Sequence, residues 1–172
     1  GADVPAGEVG EVVGAASGGM LGYWRNPAAT AAKLRDGWIH TGDLARRERD
    51  GYFTLVGRLE EVIASGGEKI HPGEVEQALA AHPAVRESAV FGAPDDAFGE
   101  TVCAAVVVQP GLTVDAGGLD EHCRRTLAPY KRPRRYLFVD ALPRNASDKV
   151  LRGVLRERLP IVPPANPAGS PP

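Results

Sequence analysis

Residues 57–76 read GRLEEVIASGGEKIHPGEVE and change character three times. A charged turn, Gly57 to Glu61, leads into the apolar, strand-like Val62-Ile63-Ala64; Ser65-Gly66-Gly67 follows, and Pro72 opens a helical pattern. Glycine reaches backbone angles closed to other residues. Proline at the start of a helix gives up an N–H that would have no helical partner. Val75, Ala78 and Leu79 then share one helical face, which His82-Pro83 ends. Permissive residues therefore stand between two segments with firm structural signals. The natural domain boundary falls near Arg58 to Glu60.

Upstream of that boundary the pattern is β-rich. Glu8 to Gly14 (EVGEVVG) predicts a strand. Asn26-Pro27 supplies a cap and a first-turn proline for a helix over Ala28 to Arg35, stopped by Asp36-Gly37. Trp38 to Leu44 and Tyr52 to Val56 read as a hairpin around Arg49-Asp50-Gly51. Downstream, Val85 to Phe91 and Val102 to Val108 are strands joined by a loop over Gly92 to Gly99. Leu119 to Leu127 is helical, Tyr136 to Val139 a short strand, and Lys149 to Leu159 an amphipathic helix. The expected fold class is α+β: an incomplete, mostly-β lobe over 1–58, then a small mixed α+β domain over 59–160. The proline-rich residues 161–172 cannot bury enough apolar surface to order and read as a disordered tail.

The 172 residues suffice for one ordinary domain, or a small domain attached to part of another. A formal net charge of −2 argues against general polyanion binding, so nucleic acid is not an expected partner. No apolar run approaches a membrane span. Cys103 and Cys123 make no disulfide framework and read as reduced thiols, with cytoplasm the default compartment. His40, His71, His82 and His122 lack metal-ligand spacing, so no metal site is expected in the chain. The chain opens on Gly1 and runs directly into strand-like sequence, which reads as the C-terminal part of something longer.

Set in order, the short motifs carry a resemblance. Tyr23-Trp24-Arg25-Asn26-Pro27 leads to Gly37-Trp38-Ile39-His40-Thr41-Gly42-Asp43, then Asp50-Gly51-Tyr52-Phe53 and Gly57-Arg58. Ser65-Gly66-Gly67-Glu68-Lys69-Ile70 follows, with Pro72, Glu74-Val75-Glu76, and Pro143-Arg144-Asn145 before Lys149. Over roughly residues 5 to 159 the set resembles the C-terminal third of adenylate-forming enzymes, the acyl-CoA synthetase, luciferase and adenylation-domain class. The resemblance implies two steps. A small-molecule carboxylic acid attacks the α-phosphate of ATP, giving an acyl-adenylate and pyrophosphate; a thiol then takes the acyl group and releases AMP. It also implies that a small C-terminal domain rotates between the steps, and that Mg2+ accompanies ATP, held mainly by phosphates and by residues of a missing N-terminal region.

The same resemblance assigns roles. Asp43 would accept the ribose hydroxyls, a task suited to an acceptor-only carboxylate; Arg58 would contact the same region. Glu60 would be the hinge, and Ser65, Gly66, Gly67 and Glu68 would line the path of the thiol arm. Lys149 would bridge the substrate carboxylate and the α-phosphate. Asp148 stands where the family usually has glycine. It is read as capping the helix that follows, and Asp148→Gly as raising adenylation modestly. Lys131, Arg132, Arg134 and Arg135 are either a solvated face or contacts for CoA phosphates. Tyr130-Lys131-Arg132-Pro133 looks like acid–CoA ligases, whereas carrier-loading adenylation domains more often have Tyr-Met there. The leading expectation is an acid–CoA ligase acting on an unspecified fatty or aryl acid. A carrier-loading adenylation domain and a catalytically silent binding module stand as alternatives. Without the upstream phosphate-binding loop, the chain alone is expected to be inactive.

Overall fold

In a computed structural model the structure describes residues 3–158, and the chain divides into two compact units between Glu60 and Glu61. The tail expected at 161–172 lies outside the described residues.

The first unit is a four-stranded antiparallel sheet built on one long strand. Strand β1 (Val9–Ala15), β2 (Leu34–Arg35) and β4 (Phe53–Arg58) all pair with β3 (Trp38–Arg47). Helix α1 (Pro27–Lys33) starts where Asn26 Oδ1 accepts the Ala29 N–H at 2.9 Å. It ends two residues before the expected Arg35, because Leu34 and Arg35 turn extended to pair with Ile39 and Trp38. Ladder hydrogen bonds there outweigh another half-turn of helix. Among the described residues of this unit only Leu44 and Ala45 are buried, while Trp24, Tyr52, Phe53 and Leu55 stand exposed.

In the second unit β8 (Gly99–Val108) is the centre. It pairs with β7 (Val85–Asp95) along one edge; along the other it meets β5 (Ile63–Ser65) at Gly99 and, in parallel, β9 (Arg135–Phe138) at Cys103 to Val106. β6 (Glu68–Ile70) completes the sheet on β5. Successive side chains of a strand point to opposite faces. Val102, Ala104 and Val106 accordingly pack with Val75 and Leu79 of α2 (Pro72–Ala80) and with Leu119 of α3 (Ala116–Arg124). Cys103, Ala105 and Val107 pack on the other side with Phe91 and with Leu155 of α4 (Arg152–Glu157). A strand covered on both faces has no polar side to present, which is why Val102 to Val108 reads as an unbroken apolar run. Each fully buried Val, Leu or Phe contributes about 1.5–3 kcal/mol. The α+β class stands. Cys103 and Cys123 are free and buried, and burial pushes the Cys103 thiol up to about 11.

Four expectations are corrected. Gly92 to Gly99 is not a loop: the ladder continues through Gly92↔Val102 to Asp95↔Gly99, and the turn is confined to Asp96, Ala97 and Phe98. Asp95 Oδ1 closes that turn by accepting the Ala97 and Phe98 N–H groups. Helix α3 begins at Ala116 rather than Leu119, since Asp115 Oδ1 accepts the Gly118 N–H at 2.8 Å and draws Gly117 and Gly118 into the first turn. It ends at Arg124 rather than Leu127. Helix α4 begins at Arg152, not Lys149, and the expected last residue, Leu159, lies outside the described residues. Asp148 is not its cap: the cap position is Leu151, and Asp148 sits three residues earlier at φ 63°.

Candidate functional site

The first unit gathers one polar web around the turn at Gly42. Thr41 Oγ1 donates to Val12 O at 2.7 Å and accepts the Asp43 N–H at 3.0 Å. Lys33 Nζ donates to Thr41 O at 3.1 Å. Glu11 crosses from β1: its Oε2 lies 2.8 Å from His40 Nδ1, and its Oε1 accepts the Gly42 N–H at 3.0 Å. Gly42 has φ 78°, so a side chain there would be strained as well as crowded by Lys33. The antiparallel register sets Asp43 opposite Arg58, and Arg58 Nη1 donates to Asp43 Oδ1 at 2.5 Å. Asp43 keeps more than a third of its surface open. A carboxylate has lone pairs for about four bonds, so this anchored group retains capacity for a pair of hydroxyls. Arg58 Nε lies 4.0 Å from Glu60 Oε1.

The His40 bond, ahead of the opposing effect of burial, holds the Glu11 carboxyl below its ordinary 4.5. A carboxyl depressed on folding contributes stability that is fully present above the unfolded value and lost as pH falls through the folded one. Thermal melting between pH 6 and about 3 is expected to show part of the acid destabilisation vanish in Glu11→Gln, which also melts lower at neutral pH.

In the second unit Lys149 closes a tight loop rather than lying on a helix. Asn145 ties that loop shut. Its N–H donates to Lys149 O at 3.0 Å, and its Oδ1 accepts from the Ser147 and Lys149 N–H groups at 3.0 and 2.9 Å. Arg144 pairs with Val150 in an isolated bridge; its Nη1 donates to Asp148 O at 2.9 Å, and its Nη2 to Glu87 Oε2 at 2.8 Å. The left-handed backbone of Asp148 explains the departure from glycine: Asp is one of the few side chains that enters this region readily. Its carboxylate lies 3.6 Å from Arg144 Nη1. Urea melts are expected to find Asp148→Gly near native stability and Asp148→Ala destabilised by about 1 kcal/mol.

At the root of this loop stands a clamp. Arg152 donates from Nε to Val90 O at 3.0 Å, from Nη1 to Glu61 Oε1 at 3.2 Å, and from Nη2 to Glu76 Oε1 at 2.8 Å. Lys149 Nζ lies 3.8 Å from the same Glu61 oxygen.

The glycine segment is a hairpin turn. Ser65 pairs with Glu68, and Gly66 and Gly67, at φ 59° and 86°, form the left-handed turn that matches the twist of β5 and β6. The Gly66 N–H donates to Phe98 O at 2.9 Å, and a Cβ there would meet the Phe98 ring at 3.2 Å. Ser65 is buried and Glu68 exposed. The basic segment does not converge on one point. Lys131 Nζ bonds Glu74 at 2.7 and 2.8 Å, which raises its pKa; Arg132 Nη1 is 3.8 Å from Asp120; Arg134 stacks 4.1 Å over Phe98; Arg135 Nη2 is 3.4 Å from Asp95. Among the described residues no three His, Cys, Asp or Glu side chains converge to hold a metal ion.

Residues 74–149 match the AMP-binding enzyme C-terminal domain. Among solved structures, o-succinylbenzoate CoA synthetase (MenE) from Bacillus subtilis, in complex with the acyl-adenylate intermediate OSB-AMP, superposes with TM-score 0.83 at 38% identity, covering 91% of this chain and 32% of that one. The chain resembles the C-terminal part of adenylate-forming, AMP-binding enzymes. Among the curated proteins similar to it, a feruloyl-CoA synthase from Amycolatopsis sp is 47% identical over 158 residues, 92% of this chain and 32% of that protein. A fatty acid–[acyl-carrier-protein] ligase, ScoC, from Streptomyces coeruleorubidus is 44% identical over 158 residues, 92% of this chain and 30% of that protein. The chain thus spans about a third of the length of the curated relatives it matches.

Motif reading singled out Asp43, Arg58 and Lys149 and quoted Asn145 without a role, but gave no part to Glu11, Glu61 or Arg152, which bond or face these segments. Asn145 had a local signal, an Asn-x-Ser-Asp turn pattern directly before the lysine. Arg152 and Glu61 are 91 positions apart, and nothing in the local pattern couples them.

Proposed function

We propose that this chain is the C-terminal portion of an ATP-dependent acid–CoA ligase that works in the cytoplasm. Residues 1–58 would close the large AMP-binding domain, and residues 59–160 would form its mobile C-terminal domain, rotating about Glu60. The exposed aromatic side chains of the first unit support the reading that this surface packs on the remainder of the enzyme.

In the first half-reaction a carboxylate oxygen of the acid bonds to the α-phosphorus of ATP and the bond to pyrophosphate breaks. Asp43 accepts the ribose hydroxyls while Arg58 orients it. The Lys149 ammonium donates to oxygens that gain charge as that bond changes hands, where a preorganised donor acts most strongly. Mg2+ would accompany ATP through its phosphates rather than through this chain. In the second half-reaction the sulfur of CoA attacks the acyl carbon, the carbon–oxygen bond to AMP breaks, and the thiol proton leaves to solvent. Ser65, Gly66, Gly67 and Glu68 would flank the incoming thiol arm. Glycine at the turn leaves it without a side chain to obstruct that passage. Lys131, Arg132, Arg134 and Arg135 would meet CoA phosphates only by sharing donors with their present partners.

The observation that carries this reading is the match of residues 74–149 to the family's C-terminal domain, with Lys149 at its end on a hydrogen-bonded loop. A carrier-loading enzyme is the second reading, favoured by the similarity to ScoC. The full-length protein is tested by acid-dependent pyrophosphate exchange, then by thioester formation with CoA and with a pantetheinylated carrier. Turnover with CoA is the expected result. Turnover with the carrier alone selects the second reading, and no exchange with a broad panel of acids leaves a silent module.

A further inference from the structure

Lys149 has a docking position within its own domain, and we propose that Glu61 is the positioning residue that holds it there, at rest, in competition with its delivery to the nucleotide. The inference rests on the catalytic assignment of Lys149 above. Glu61 Oε1 is shared by two cations: Arg152 Nη1 at 3.2 Å and Lys149 Nζ at 3.8 Å. The two are held very differently. Arg152 is bonded on three sides, to Glu61, Glu76 and Val90 O, and only about a fifth of its side chain is exposed. The Lys149 side chain is 51% exposed, and its pairing distance is long. Exposed ion pairs of this kind are weak.

At Glu61 the longer distance and greater exposure make the lysine the looser of the two partners. When its ammonium leaves, Glu61 keeps the Arg152 hydrogen bond, so no buried carboxylate is stranded. Glu61 also ends the 3-10 turn Leu59–Glu61, one residue beyond Glu60. Its backbone therefore adjoins the proposed pivot while Arg152 fixes its carboxylate to the domain. The resting contact lies wholly inside the second unit and is available in every orientation of that unit.

Glu61→Gln keeps the shape and removes the charge. In the 172-residue chain, nitrogen relaxation of the Lys149 ammonium is expected to show a clear loss of order in this variant, with the amide signals of Ile70, Val90 and Tyr136 in place. Should the variant fold poorly, the wild type gives the same answer: about 1 M NaCl is expected to loosen its Lys149 ammonium by screening the pair. An ammonium equally ordered with and without the Glu61 charge, or indifferent to salt, overturns the docking. In the full-length protein, Glu61→Gln is expected to raise pyrophosphate exchange about two- to fivefold at subsaturating acid. Thioester formation from preformed acyl-adenylate is expected to stay unchanged. Equal losses in both half-reactions mean a structural ion pair only and overturn the proposal. Exchange unaffected by Lys149→Ala overturns the ligase assignment itself, a failure distinct from that of the ammonium measurement.

Discussion

Lys149→Ala in the full-length protein is expected to lower adenylation by about 10²- to 10³-fold, the cost of losing one preorganised donor at a site of developing charge. The loop that carries the lysine is held by Asn145 and Arg144 through backbone bonds that do not involve the Lys149 side chain. Truncation therefore removes the ammonium without loosening its support, and the fall belongs to chemistry rather than to folding. Thioester formation from a supplied acyl-adenylate is expected to proceed at the native rate, because the sulfur attack needs no donor at the α-phosphate. Stopped assays of the two half-reactions separate the outcomes. A similar fall in both would mean that the lysine supports the fold or the thiol step instead.

Glu60→Pro is the second large effect. Proline fixes φ near −65° and pushes the preceding residue toward extended angles, so Leu59 and Glu60 together lose the freedom a pivot requires. Glu60 is the middle residue of the 3-10 turn Leu59–Glu61, at the division between the compact units. Confining it is expected to change the ratio of the two half-reaction rates by about 10²-fold, since a reacting group misplaced by even 1 Å costs about that factor. The core of the second unit, from Ile63 to Leu155, lies beyond the substitution and should keep its amide spectrum. Native rates in both halves with a proline at Glu60 would remove the rotation from the mechanism.

The parts of this fold governed by local chemistry were legible. Val102 to Val107 is buried and reads apolar throughout; Asn26-Pro27 starts one helix and Pro72 another. Misreadings came where a distant partner outvoted a local signal. Gly92 to Asp95 looks like loop sequence, yet its backbone pairs along β8, and the Glu100 carboxylate lies where a Cβ on Gly92 would stand. Gly117-Gly118 looks like a helix breaker, but the Asp115 cap and the buried Ala116 and Leu119 recruit both residues. At the candidate site, Asp43, Arg58 and Lys149 stand out by motif, whereas nothing in the local sequence joins Glu61, Glu76 and Arg152 into a clamp. It joins the unit's first residue, α2 and α4, and each member alone reads as a surface charge.

The concealment of the two thiols has its own consequence. Mixed anhydrides acylate any sulfur nucleophile they meet, so an enzyme that makes them risks modifying itself before the acceptor arrives. Cys103 and Cys123 are the chain's two cysteines, and both lie fully buried, with the Cys103 thiol raised to about 11 and Cys123 also raised. Neither offers an accessible thiolate at neutral pH. On the proposed ligase function, the interior would keep this chain's own sulfurs from the activated acyl group, leaving it for a sulfur brought in from outside.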